Sequence, residues 1–378
     1  MEFIFWFCLL LIGYIYVGYP LLLRLLPKQT LGSQQTFATP PSVTVIIPAF
    51  NEAASIEGTI LNKLEQDYDQ TQLSIVVVSD ESEDGTDAIV QRIAQAHSNV
   101  RLIRQSPRQG KTAGLNLAIS QIDSEFIVFS DANSHYAKNA VSELIACFED
   151  QEVGYVTGKM VYTNADGSLV GDGCSAYMKY ENAMRRLETV TGSVVGVDGG
   201  IDAIRRELYQ PMNADQLPDF VLPLKVVTQG KRVVFCEQAL LNEEALNNSQ
   251  SEFRMRVRVS LRAYWAMWDM RHLFNPSNYG LFSLQLTSHK LLRYLAFFPL
   301  ALLFVSSALL SGLAPIYFLA FIGQLGFYAA AGYASAAESQ NRWLGLANYF
   351  CLINIAAAMA FINFLKGEKI VLWKPRVG

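Results

Sequence analysis

The sequence predicts an α/β domain on a mostly parallel sheet, carried between apolar helices long enough to cross a membrane. Three observations predict it. Of 64 charged residues in the 378-residue chain, 56 fall between Arg24 and Arg293, leaving the two ends almost uncharged. Four stretches carry no charge at all: Phe3 to Leu23, Leu295 to Leu313, Pro315 to Ala334 and Trp343 to Leu365, of 21, 19, 20 and 23 residues. Each is near the roughly 20 residues a helix needs to cross about 30 Å of hydrocarbon. Between residues 43 and 130, apolar runs rich in Val and Ile alternate with helical stretches, the pattern of a parallel sheet with helices on both faces. The ends account for the bulk numbers, 51% apolar and 17% charged, which are greasy for a soluble chain.

The first stretch lacks a basic leader and a small-residue cleavage site before Arg24 and Lys28 and is longer than a signal-peptide core, so it reads as an anchor rather than a cleaved signal. Arg24 and Lys28 follow it while only Glu2 precedes it, which places the amino terminus outside and the central region in the cytoplasm. Lys366, Lys369, Lys374 and Arg376 make the tail basic, at odds with three further crossings; either a C-terminal segment is re-entrant or the charge rule is weak here.

Thr30 to Pro41 is rich in Gln, Thr, Ser and Pro, as a linker is. Then the rhythm begins, with strands expected at Val43 to Pro48, Ser74 to Ser79, Val100 to Arg104 and Phe126 to Ser130. Helices are expected at Ser55 to Gln66, Thr86 to Ala96 and Lys111 to Ser120. Ligands of such sheets bind just beyond the carboxyl ends of the strands. Asn51 and Glu52 follow the first strand, Asp80 to Thr86 the second, Arg108 to Lys111 the third and Asp131 to Asn133 the fourth. Carboxylates that hold a divalent ion and a cation at a helix start suit a nucleoside diphosphate.

Other classes are excluded by composition and motif. A net charge of −4 gives no basic surface for nucleic acid. Five cysteines without CxxC spacing make neither a disulfide framework nor a zinc cluster. No Walker loop or GxGxxG is present, against an ATPase or a dinucleotide oxidoreductase.

Ile46 to Glu52 (IIPAFNE), Val76 to Thr86 (VVVSDESEDGT), Gly110 to Ala118 (GKTAGLNLA) and Ser130 to Ser134 (SDANS), in this order, resemble a membrane-bound family 2 glycosyltransferase of the GT-A (Rossmann-like) fold. The resemblance covers roughly residues 43–262 and points to the branch containing cellulose, hyaluronan and poly-N-acetylglucosamine synthases. It implies a nucleotide-sugar donor, commonly a UDP-sugar, and a divalent metal, Mg²⁺ or Mn²⁺. By the same resemblance Asp80 contacts the nucleoside, while Pro48, Asn51 and Glu52 belong to the donor pocket. Asp131 is the first acid of the DxD motif and holds metal and diphosphate; Asn133 stands where the second acid would be, and an amide oxygen still suits a hard cation. His135 is a further candidate there, or a plain surface histidine. Lys111 opens a helix, where a cation gains nothing from the macrodipole, so a phosphate partner explains it better. Asp84 before Gly85 and Thr86 reads equally as turn chemistry.

Farther along, a strand is expected at Val156 to Met160 and a helix at Ala176 to Val190. The Gly-rich run Val195 to Arg206 faces the acceptor in the family, with Gly199 and Gly200 leaving the backbone open to a sugar, or forming a tight turn. Asp219, opening a helix that runs to about Thr228, matches the family's general base. An inverting transfer needs a base beside the acceptor hydroxyl, and the alternative is an acid favoured by the helix dipole. Phe253 to Arg262 alternates Arg with apolar residues; no QxxRW motif follows. Arg254 and Arg258 are candidate diphosphate contacts, or basic groups of an amphipathic interfacial helix.

The expected organisation is an anchor at 1–27, a GT-A catalytic domain at 40–245, an interfacial segment at 246–290, transmembrane helices at 291–366 and a tail at 367–378. The expected activity is an inverting hexosyl transfer to a lipid-linked or membrane-associated glycan acceptor, in polysaccharide or glycolipid synthesis at the plasma (inner) membrane, with the catalytic domain cytoplasmic. A processive synthase with a transmembrane channel is the alternative, and a transporter or receptor with a nucleotide-sensing domain is the reading from another class. No nucleic-acid partner is expected.

Overall fold

A computed structural model of the chain describes residues 1–29, 36–163, 172–244, 249–337 and 341–370. They form two compact units, one of apolar helices and one α/β. The helical unit takes the chain to Pro27, the helix Asp172–Thr191 as far as Leu187, and the chain from Ser249 to Glu368; most of the rest forms the α/β unit. The unit boundaries therefore interrupt the contiguous stretch 40–245.

The α/β unit is built on an eight-stranded sheet: β1 Val43–Ala49, β2 Leu73–Asp80, β3 Val100–Gln105, β4 Phe126–Ser130, β5 His135–Tyr136, β6 Val153–Thr163, β7 Ile201–Arg205 and β8 Arg232–Glu244. Their order is β3-β2-β1-β4-β7-β6-β8-β5. The first four pair in parallel, as the alternation predicts. Every residue of β1 and β4 is buried, which is why both read as unbroken apolar runs rather than alternating ones. β7 reverses direction, pairing antiparallel with β4 and β6, so the sheet is mixed. The helices Ile56–Leu64, Thr86–Ala96 and Lys111–Ile119 are the crossovers between the parallel strands.

Loops at the carboxyl ends of β1 and β2 are laced together by side chains. Asn51 and Glu81 sit at positive φ, +54° and +62°, a conformation that costs a non-glycine residue energy and has to be held. Asn51 Oδ1 accepts from the Glu83 amide at 2.9 Å, and its own amide donates to Ser82 Oγ at 3.1 Å. The Glu52 amide donates to Thr86 Oγ1 at 2.9 Å and the Ala53 amide to Asp84 Oδ2 at 2.9 Å. Asp84 thus does turn work, also accepting from the amide and hydroxyl of Thr86 at the start of its helix.

In the helical unit, Glu2–Leu25, Pro315–Ala336 and Arg342–Leu365 are long and apolar enough to cross a bilayer. The stretch Leu295 to Leu313 differs from its expectation. It holds a helix of only 14 residues, Phe297–Leu310, bent 58° from the preceding Leu281–Tyr294, and the pair makes a fourth span only if read as one broken crossing. Pro299 explains the break: it has no N–H for the Leu295 carbonyl and its ring crowds that group, so the helix restarts there. Among the described residues two short π-helical segments interrupt the helices of this unit, Tyr14–Gly18 and Thr287–Leu291.

The pairing of β6 with β8 slips between Thr157 and Lys159, at Gly158. A Cβ on Gly158 would lie 2.7 Å from the Ala239 carbonyl oxygen and 2.9 Å from Ile201. Gly158→Ala is therefore expected to destabilise the α/β unit by roughly 1–3 kcal/mol, the usual range for overpacking; thermal unfolding of the purified chain measures it, and an unchanged midpoint contradicts this packing.

Candidate active site

Three of the residues singled out in the sequence meet at one point. Lys111, the first residue of its helix, donates from Nζ to Asp131 Oδ1 at 2.7 Å and lies 3.8 Å from Asp219 Oδ1. Asp131 follows the carboxyl end of β4, and Asp219 lies in the first turn of the helix Pro218–Thr228. Pro48, Phe129, Ser130, Tyr155 and Leu222 join Lys111 and Asp219 around a cavity of about 10 Å³, room for about one water. All three charged side chains keep part of their surface in solvent. The cation expected to want a phosphate thus spans two carboxylates.

Asp80 stands differently. Its carboxylate is 2% exposed and accepts from the Gln109 amide at 2.9 Å, the Gly110 amide at 3.0 Å, the Gln105 side-chain amide, and Arg108 Nε at 3.4 Å. It pins the loop between β3 and the helix that Lys111 opens. Glu81 holds the same loop from outside, accepting from Ser106 Oγ and the Arg108 amide. The Arg108 guanidinium lies 3.3 Å from the centre of the Phe50 ring. Glu52 accepts from Ser55 Oγ at 2.9 Å at the start of the next helix, so its carboxylate serves a helix terminus as well as the loop after β1.

The two glycines also differ from the open backbone expected of them. Gly199 has φ +84°, and a Cβ there would fall 2.5 Å from Asp219 Oδ2. Its missing side chain is what lets Asp219 lie where it does. At Gly200 the corresponding space is taken by Leu241, 2.8 Å away, so that glycine serves packing. Tyr136 ties this turn to the sheet, its hydroxyl reaching the carbonyls of Phe129 at 2.7 Å and Gly200 at 3.0 Å.

Asn133 lies two residues past Asp131, partly exposed. The His135 imidazole lies beside Gly58 on the helix Ile56–Leu64, 3.4 Å from where a Cβ would stand. Among the described residues no three His, Cys, Asp or Glu side chains gather as a metal cage. One carboxylate and one amide oxygen fit a Mg²⁺ or Mn²⁺ ion held sparsely by protein and completed by phosphate and water. Arg254 and Arg258 lie on the helix Ser249–Asp269 of the helical unit, the first exposed and the second half-buried.

Sequence reasoning passed over Asp202. It sits within β7, opposite Phe129 on β4 and Thr157 on β6, 1% exposed, and neither oxygen makes a well-formed hydrogen bond. The signal was available, a single carboxylate inside the apolar strand IDAIR. Burial pushes its carboxyl up to about 8; a nearby Thr157 hydroxyl opposes the rise and the charges of Asp219 and Asp198 add to it. The proton keeps a third negative charge away from Asp219 at neutral pH.

Residues 44–211 match the family described as Glycosyl transferase family 2. A relative from Bacillus subtilis, "Probable glycosyltransferase YdaM", is 26% identical over 232 residues, 58% of this chain and 54% of the relative. "Beta-monoglucosyldiacylglycerol synthase" of Trichormus variabilis is 24% identical over 169 residues, 44% of this chain and 36% of the relative. "Hyaluronan synthase" of Streptococcus pyogenes is 28% identical over 179 residues, 45% and 42% of the two chains. The matches span about half or less of these relatives' own lengths. A solved structure described as "Mannosyltransferase PcManGT from Pyrobaculum calidifontis in complex with GDP-Man and Mn2+" superposes with a TM-score of 0.71 at 21% identity, covering 97% of this chain and 99% of that one. The fold is GT-A, and residues 44–211 form a family 2 glycosyltransferase domain.

The buried proton on Asp202 has a measurable consequence. An unfolded aspartate titrates near 3.9, so between about pH 4 and pH 8 the folded chain holds a proton that the unfolded chain has released, and stability falls as pH rises through that window. Asp202→Asn removes this slope. Its melting temperature is expected to exceed that of the parent by a margin that widens from pH 5 to pH 8; a margin that narrows rules out a raised Asp202.

Proposed function

We propose, from the family 2 glycosyltransferase domain of residues 44–211, that the whole chain is an inverting glycosyltransferase. It moves a sugar from a nucleotide-sugar donor, read as a UDP-sugar, to a lipid-linked or membrane-associated glycan acceptor. The observation that carries this reading is the meeting of Lys111, Asp131 and Asp219 at the carboxyl edge of the parallel strands. A phosphate-binding cation, a hard-ion carboxylate and a second carboxylate on another segment are what an in-line displacement requires.

In this reading the acceptor hydroxyl oxygen attacks the anomeric carbon of the donor sugar. The bond from that carbon to the diphosphate oxygen breaks, and the nucleoside diphosphate departs with the bonding pair. Asp219 takes the hydroxyl proton, held at its place by the bare Gly199. Lys111 turns from the two carboxylates to the donor's diphosphate, a positive charge set at the leaving group. Asp131 and Asn133 would hold a divalent cation, which would supply further neutralisation of the charge on that leaving group. Pro48, Asn51 and Glu52 line the donor pocket, and Asp80 acts by fixing the loop that carries Lys111.

The lipid side of the reading is supported by three helices of membrane-crossing length in the same chain and by a relative named for a glucosyl diacylglycerol. The similarity to a hyaluronan synthase favours a second reading, repeated addition to one polymer. Product length after incubation with labelled donor separates the two.

Asp219→Asn is expected to leave the affinity for nucleotide-sugar within about threefold while lowering transfer by at least the 10²- to 10⁴-fold typical of a lost general base. Donor affinity by calorimetry and labelled-sugar transfer check it. Loss of both in equal measure removes Asp219 from the role of base.

A further inference from the structure

The helix Ile56–Leu64 carries a lysine that the transfer reaction does not use. Lys63 is 0% exposed, although a lysine is almost never fully buried unless it is paired. Its side-chain nitrogen donates to the Ser134 carbonyl at 2.6 Å and to Asn62 Oδ1 at 3.0 Å, and it lies 3.7 Å from the centre of the Tyr136 ring. Among the described residues it makes no ion pair, and burial pushes its amine well below the ordinary lysine range. Charged or neutral, the nitrogen has the N–H groups for both bonds. An apolar side chain of similar length would fill the same space without that penalty, since replacing buried charges by apolar groups is often neutral or stabilising. What the lysine adds is a donor at the end of a long stem, delivered to one backbone carbonyl.

Lys63 does not act by itself. Thr59 stands four residues earlier on the same helix face, equally buried, and its hydroxyl donates to the Ala132 carbonyl at 2.6 Å. Beside them the Asn62 side chain donates to the Tyr136 carbonyl at 3.0 Å and accepts from the Tyr136 amide at 2.7 Å. One helix thus holds the backbone at residues 132, 134 and 136. Burial along this segment alternates in step: Ala132, Ser134 and Tyr136 are buried, whereas Asp131, Asn133 and His135 keep surface in solvent. The Ser134 amide also closes a turn onto the Asp131 carbonyl at 3.3 Å. Asn133 is therefore flanked on both sides by residues whose carbonyls are pinned.

We propose that Thr59 and Lys63 are positioning residues that set the Asn133 amide against the Asp131 carboxylate, by holding the carbonyls on either side of Asn133. This role rests on the proposed function, in which Asp131 and Asn133 would hold a divalent cation. Two protein oxygens are a sparse set for such an ion, so their placement counts for more than it would in a full cage. A turn left free to shift would have to be ordered when the ion binds, at a cost in affinity. Groups that orient a ligand without touching the metal typically carry about 10- to 100-fold of the affinity.

The test uses the full chain in detergent with Mn²⁺ as the probe, with and without UDP, bound ion being read from the loss of the free-ion electron paramagnetic resonance signal. Lys63→Met, which keeps an apolar stem and removes the donor, is expected to weaken Mn²⁺ binding at least about tenfold. The same substitution made on top of Asn133→Ala is expected to add nothing, because its effect passes through that amide. Equal Mn²⁺ affinity in the parent and in Lys63→Met overturns the positioning role and leaves the cation site standing. A loss of the same size with and without Asn133→Ala also overturns it, since that is what a merely structural role gives. Failure of the parent to bind Mn²⁺, with or without UDP, removes the cation site and the positioning role together. Thermal unfolding shows whether Lys63→Met folds; if it does not, Thr59→Val carries the same cycle, with an expected loss of about tenfold.

Discussion

The carboxylate of Asp80 sets the position of the site. It is buried at the end of β2 and takes hydrogen bonds from the backbone of Gln109 and Gly110. Bonds to a charged acceptor contribute about 1.5–3 kcal/mol each, more than a typical loop can lose without rearranging. The next residue is Lys111, so fixing Gly110 fixes where that side chain begins. Gly110 itself has φ +93°, a turn into the helix that a side chain would resist. From there Lys111 reaches the carboxylates of Asp131 and Asp219. A buried acid at the end of β2 thus aims a partly exposed cation, and the two make one device.

Asp219 is aimed by subtraction. Its helix begins at Pro218, whose fixed φ suits a first helical position, and the side chain lies against the bare α-carbon of Gly199. The Tyr136 hydroxyl holds the neighbouring Gly200 carbonyl to the Phe129 carbonyl at the end of β4, so the turn carrying Gly199 and the strand leading to Asp131 move together. Buried Asp202, from the strand that follows the turn, completes this corner in neutral form. A charged carboxyl there would repel Asp219 across a medium with little water to screen it.

The parallel half of the sheet was legible because its strands are buried on both faces and so spell out continuous Val and Ile runs. Loop residues bearing Lys111, Asp131 and Asp219 were legible because each ends a strand or starts a helix, where local chemistry and placement coincide. What the sequence hid depends on contacts distant along the chain. Gly199 and Asp219 are twenty residues apart and meet only through tertiary packing. Asp80 was expected at the donor, and nothing local in the sequence shows that its carboxylate also takes bonds from Gln105 and two loop amides. The short helix Phe297–Leu310 was hidden for another reason: apolar composition registers length, while Pro299 decides where a helix restarts. Departure of the helix Asp172–Thr191 into the other unit has no compositional mark, since its charged residues read as solvated surface.

Polar side chains in the helical unit fall into two kinds, and the difference bears on what the unit does. Ser306, Ser307 and Ser311 donate to carbonyls three residues back, and Asn354 to one four residues back, so each is satisfied by its own helix. Groups of this kind cost little in an apolar setting and carry no implication of transport. Gln324 reaches Ser307 on a neighbouring helix, which adds a modest link between helices. Some of the charged residues are of the other kind, with Arg293 and His289 both meeting Glu181 beside one cavity. A transporter would need polar groups distributed along a path through the helices. Among the described residues, serines that turn to their own helix and one inter-helix link at Gln324 are the arrangement of spans that anchor the chain.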